Sequence, residues 1–225
     1  MDYNWGLATT IELSLASPTF RKLGPSARDL LGVVAFFPQG VDKNNLQWLL
    51  PTVPDIKSTF GKFCALSLTH RSNDFITMLG PIRDHLIPQN PASSTLLCTT
   101  RDRYFARLSV DVFPGKPRFE EARWITSEDV NAEHLLNVFT SIDANADDSW
   151  DTCGHFIEHL HWHKPRPTVL AQKVKDLPDP HHSKPKSLFE LSELFGRFGN
   201  GTERKQLLVH ALMLEREGGM PLGLL

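Results

Sequence analysis

Four histidines fall within nine residues, at positions 155, 159, 161 and 163. Three residues of this stretch could do chemistry together: His155, Glu158 and His159, in the order H-x-x-E-H. On a helix, His155 and His159 lie one turn apart, near enough for their imidazoles to share a zinc ion. Glu158 offers a carboxylate that could act as base on a metal-bound water, so the chemistry is metal-assisted hydrolysis. Such a zinc also needs a third protein ligand, an open position for water and walls against bulk solvent.

The order H-x-x-E-H is that of the inverzincin proteases, which take a third ligand from a downstream glutamate. The candidates are Glu190, Glu193, Glu203, Glu215 and Glu217, and each is better explained as the polar face of a terminal helix pair. Helical spacing puts Trp150, Cys153, Phe156, Ile157 and Leu160 on one face, the expected core face. His155, Glu158 and His159 are then expected opposite it, on a solvated surface. His161 and His163 are expected at a frayed helix end, where imidazole suits the negative end of the helix dipole. Trp162 reads as packing on the segment that follows. The structural reading is preferred over the zinc site, and no metal is expected.

Other chemistry is missing from the sequence. Gly-Lys within Pro114–Pro117 lacks the following Ser or Thr of a phosphate loop, and Val110 stands where its first glycine belongs. The glycines of 196–201 follow a helix rather than a strand, so they make a turn and not a dinucleotide cradle. There is no G-x-S-x-G elbow. Cys153 is expected on the buried side, inert. No cofactor is expected.

The elements that must position these residues are short and mostly helical. Residues 1–19 read as an entry segment. "SARDLLGVVAFF", capped by Ser26, "DKNNLQWLL" and "DIKSTFGKF" read as three helices. The alternation in "ALSLTH" and "FITML", separated by "RSND", predicts a β-hairpin. Three short helices and a hairpin are the order of a winged helix, over residues 20–90. "PIRDHLI" leaves it as a helix. A helical connector is expected over 91–180, built from "STLLCTTRDRYFARLSVDV", from a helix starting at Ser127, and from "DDSWDTCGHFIEHLHWH". "SLFELSELFGRFGN" and "GTERKQLLVHALMLERE" form a closing helix pair over 185–218, with a tail at 219–225. The expected fold class is mostly α with one small hairpin.

Composition agrees with a globular chain. Of 225 residues, 40% are hydrophobic and 22% charged, and the net charge of −2 gives no general pull toward nucleic acid or acidic lipid. In the third helix of the winged-helix region only Lys57 and Lys62 are basic, with His70 and Arg71 at the wing, too few for base readout and phosphate contacts. No nucleic acid or membrane partner is expected. Cys64, Cys98 and Cys153 form no C-x-x-C, and the N-terminus lacks the pattern of a signal peptide, so a reducing cytoplasm is the expected setting.

The closing pair resembles a tetratricopeptide repeat. Ser192 and Ala211 fit the small positions where its two helices touch, and Leu191, Phe195, Leu208 and Leu212 fit the apolar positions around them. Arg204 stands where a second alanine is usual, and Arg216 where a proline is usual. Together with "LATTIELSLASPTFRKLGPSARDLLGVVAFFPQGVDKNNLQWLLP", "FITMLGPIRDHL" and "HLHWHKPRPTVL", the pair resembles the region after the nucleotide-binding core of fungal STAND proteins. These are NB-ARC or NACHT-type signalling NTPases, many with C-terminal tetratricopeptide repeats.

That resemblance implies a winged helix that closes over a nucleotide held by a separate phosphate-loop domain, and repeats that sense a signal. Related proteins carry a Met-His-Asp nucleotide sensor where this chain has Met78, Leu79 and Gly80, so the histidine and aspartate are missing; Arg83 is the nearby charge. The implied role is regulatory and non-catalytic, with protein partners engaged through the repeat-like pair.

Overall fold

The structure, a computed structural model, describes residues 3–51, 55–89, 95–108, 119–142, 147–179 and 181–218. It is mostly helical, with one small antiparallel sheet. The chain divides into two compact units, Met1–Arg103 and Tyr104–Leu225.

The first unit opens with α1 (Tyr3–Ala16) and α2 (Pro18–Arg21), so the entry segment is itself helical. Ser17 starts α2 by accepting the Phe20 amide on its side chain, and Pro18 fills a first-turn position where no N–H is needed. α3 (Pro25–Phe36) begins one residue before the expected cap. Gly24, at φ +80°, is its N-cap, Pro25 takes the first turn, and Ser26 lies inside the helix.

The second helix of the sequence reading is shorter than expected. Val41–Asp42 is a strand, β1, and only Leu46–Leu49 is helical, as α4. α5 (Ile56–Ala65) is followed by β2 (His70–Ser72) and β3 (Phe75–Thr77). The first hairpin strand therefore starts at His70. Leu66 and Leu68, whose alternation suggested a strand, belong to the turn after α5, where Ser67 takes φ +57° and Leu68 is buried. The sheet order is β1-β3-β2, with Ile76 opposite both Val41 and Arg71. Gly40 sits against β3 so closely that a Cβ there would meet the Ile76 carbonyl oxygen at 2.3 Å. A core of Leu30, Leu31, Phe37, Phe60, Phe63 and Leu68 closes the unit, with Phe20 stacked on Phe63 at 5.9 Å. α6 (Gly80–Leu86) packs on α1 and α3, and His85 meets Glu12 of α1 at 2.8 Å.

α7 (Thr95–Leu108) runs across the division between the units. Residues 109–118, which include Pro114–Pro117, lie outside the described residues, as do 90–94 and the tail 219–225. The second unit is a succession of packed helices: α8 (Phe119–Ile142), α9 (Asp147–His163), α10 (Leu170–Asp176), α11 (Lys184–Arg197) and α12 (Gly201–Glu217). α8 starts eight residues before Ser127. That serine is inside the helix, its hydroxyl donating to the Trp124 carbonyl at 2.7 Å, and so caps nothing. α10 lies between Pro167 and Pro178, in a stretch for which the sequence reading names no helix.

α8 packs on α9, α9 on α11, and α11 on α12, while α10 touches both α8 and α11. Small residues stand at the crossings. A Cβ on Gly154 of α9 would meet the Ser187 hydroxyl of α11 at 3.0 Å, and Ser192 and Ala211 are buried on α11 and α12. Small side chains let helix axes approach closely. The α11–α12 turn uses Gly199 at φ +73°, and the Asn200 side chain caps α12 by accepting from the Glu203 amide.

Charged groups fasten the loops. Asp129 of α8, almost wholly buried, takes Lys164 at 2.9 Å and Arg166 at 2.8 Å. Arg166 also meets Glu133 at 2.6 Å, and the Thr168 hydroxyl and Val169 amide donate to the same Glu133 carboxylate. Glu128, fully buried, accepts from the Tyr104 hydroxyl and the Asn131 amide. Burying carboxylates is costly unless their oxygens are paired in this way.

Candidate functional site

α9 is covered on two sides, by α8 and by α11, and this decides where its histidines go. His155 and Glu158 are partly exposed, with the His155 imidazole 3.8 Å and the Lys186 ammonium 3.6 Å from the carboxylate. These neighbours hold the Glu158 carboxyl below its ordinary value, against the opposing effect of partial burial. His159 departs from the expected solvated face. It is 3% exposed and directed at α8, its Nε2 lying 3.5 Å from the Thr126 hydroxyl and its ring 4.9 Å from that of His163. Burial and then the neighbouring His163 charge push its pKa down to about 4, so it stays neutral near pH 7.

The H-x-x-E-H residues therefore do not converge. Glu158 is engaged with His155 and Lys186, while His159 is buried toward a different helix. Among the described residues no group of three or more His, Cys, Asp or Glu side chains is placed to hold a metal ion. Cys153 is fully buried, as expected, and burial raises its thiol to about 12, which removes the thiolate a nucleophile requires.

His161 also departs from the sequence reading. It is buried rather than frayed, and its Nδ1 lies 3.2 Å from the Glu190 carboxylate of α11. Glu190 in turn is buried and not part of a polar face. Burial raises its carboxyl to about 7, helped by the charges of Glu158 and Glu193 and opposed by Lys186. Burial, and then Arg197, lower His161. Both shifts favour the uncharged forms, so a protonated Glu190 can donate to a neutral imidazole. The pair forms one wall of an open cleft of about 420 Å³ between α9, α11 and α12.

The rim of that cleft carries Trp162, Arg197 and Arg204. Trp162 is 53% exposed, so it does not pack away against the next segment; Arg197 lies over its ring at 5.9 Å. Arg204 meets Glu193 at 2.8 Å. Its side chain lies over Gly196, where a Cβ would stand 2.9 Å from the Arg204 Cδ. The arginine at a position where the repeat pattern wants alanine is thus accommodated by a glycine on the facing helix. The cleft offers an aromatic face, guanidinium groups and the His161–Glu190 pair.

The repeat positions divide. Leu191, Ser192 and Ala211 are buried, whereas Phe195, Leu208 and Leu212 are only half-buried; Leu188, Leu194, Leu207 and Leu214 fill the contacts instead. On α12 the exposed Val209 and Met213 continue the half-buried Leu208 and Leu212 into a second apolar face. Elsewhere, Met78, Leu79 and Gly80 form the turn from β3 into α6. Met78 is half-buried, Leu79 exposed as the N-cap, and Gly80 the first helical residue. Arg83 stands 3.8 Å from Asp84. His70 bonds Thr77 at 2.8 Å across the hairpin, and Lys62 is exposed.

The His161–Glu190 pair was invisible in the sequence because its members are 29 residues apart on different helices. The apolar stripe of α11, Leu188, Leu191 and Leu194, has the ordinary width of a helix with one neighbour, so nothing local marked Glu190 as buried.

No family model matches the chain, and the search of curated proteins and that of solved structures each found nothing similar. No described helix is long and apolar enough to cross a membrane.

Proposed function

We propose that this chain is a non-catalytic regulatory and protein-interaction module, the lid-and-connector portion of a cytoplasmic STAND-type signalling NTPase. The winged-helix region serves as lid and the helices of the second unit as connector. Partners are engaged through the repeat-like pair α11–α12. The resemblance of the sequence to fungal STAND proteins motivates the class, and the observation that carries the interaction role is the second apolar face of α12. Val209 and Met213 are 49% and 54% exposed there, beside Leu208 and Leu212, while the opposite face is buried on α11. Stacked helix pairs bury such faces on a neighbour.

The test is a comparison of melting curves. Val209→Asp with Met213→Asp removes apolar groups that the chain itself leaves uncovered, and is expected to change stability by no more than about 0.5 kcal/mol. Leu207→Asp, on the buried face, is expected to cost more than about 3 kcal/mol. Equal losses would mean that the outer face is already used within the fold, and the proposed docking role would fail.

A further inference from the structure

Three cations converge on one recess in the first unit. Lys43, Lys57 and Arg71 line a cavity of about 250 Å³ between α5 and the β2–β3 turn. Its floor is apolar, made by Leu46, Phe60, Phe75 and Ile76, of which Phe75 is half-buried and the other three nearly fully buried. Lys43 is paired with Asp74 at 2.6 Å. Lys57 and Arg71 are exposed, and among the described residues neither has an acidic partner within ion-pair distance. The recess therefore presents an excess of positive charge above a hydrophobic floor.

The recess has room for one ring carrying one charged group. Apolar contact with the floor fixes the ring, and Lys and Arg donors are matched to phosphate or carboxylate oxygens.

We propose that this recess binds a small amphipathic anion, its apolar ring against Phe75 and its phosphate or carboxylate met by Lys57 and Arg71. None of its lining residues belongs to the α12 face, so its failure leaves that reading untouched.

The experiment is a titration of the ¹⁵N-labelled full chain, followed by amide shifts. Phenyl phosphate and benzoate are the two probes, distinguishing phosphate from carboxylate. Inorganic phosphate and benzyl alcohol are the corresponding half-ligands. The expected result is saturable shifts around Lys43, Lys57, Phe60 and Arg71–Ile76, with one probe at least about tenfold tighter than either half. The double variant Lys57→Glu, Arg71→Glu should lose at least about tenfold while its other resonances stay in place. Shifts scattered over cations outside the recess, such as Arg21 and Lys205, would overturn the proposal. So would inorganic phosphate binding as tightly as phenyl phosphate, or binding undiminished in the double variant. Tighter engagement of the same residues by a short DNA duplex would reassign the surface to nucleic acid and overturn the small-molecule reading.

Discussion

His161 of α9 and Glu190 of α11 face each other at 3.2 Å, both buried, and burial drives each toward its uncharged form. The Glu190 carboxyl rises from an ordinary 4.5 to about 7 in the fold. Between those values the folded chain keeps a proton that the unfolded chain has lost. Stability contributed by this group therefore falls as pH rises through that window and is level above it. Glu190→Gln keeps a donor for Nδ1 and abolishes the titration. In urea unfolding, wild type minus variant should drop by about 1–3 kcal/mol between roughly pH 5 and pH 7.5. A constant difference would contradict the assignment.

His159 acts with the opposite sign. Its folded value of about 4 lies below its ordinary 6.5, so the unfolded chain binds the extra proton. Its contribution is intact above 6.5 and is lost as pH falls toward 4. Measured against His159→Gln, the wild type should lose about 2–3 kcal/mol over that interval. A wild type that keeps its advantage in acid would place His159 in solvent.

The divergence of His155, Glu158 and His159 has its own consequence. Zinc retained after dialysis of the untagged chain should be below about a tenth of an equivalent, and His159→Gln should leave it unchanged. One bound equivalent that disappears with His159→Gln would restore the hydrolytic site.

Two glycine substitutions should differ sharply. Gly40→Ala places a Cβ against the backbone of β3, at a positive φ, and should cost about 3 kcal/mol or more by chemical denaturation. Gly196→Ala meets only the movable side chain of Arg204. It loosens the exposed Arg204–Glu193 contact while improving helix propensity, and should stay within about 1 kcal/mol of wild type. Similar costs at the two positions would refute the packing described.

The helices were legible because their apolar spacing and their proline and glycine boundaries are local signals. α3, α5, α9 and α12 lie close to where the sequence places them. What failed was the assumption of one buried face per helix. α9 is packed on both α8 and α11, so polar residues off the apolar stripe, His159 and His161, are buried all the same. β1 was hidden because two residues give no alternation to read, and its pairing with β3 is non-local. In the sequence Lys57 and Arg71 read only as sparse basic charge, since nothing local joins those residues to an apolar floor.

The interaction role of α12 is tested most directly by supplying a neighbour for its exposed apolar face. A helix with one apolar and one polar face, of the kind that caps designed repeat arrays, is fused through a short turn after Gly218. If Leu208, Val209, Leu212 and Met213 form a stacking face, the fusion should melt about 5 °C or more above the parent chain. That gain should vanish in the Val209→Asp, Met213→Asp background. A fusion that melts with the parent, or gains equally in the aspartate background, would contradict the account.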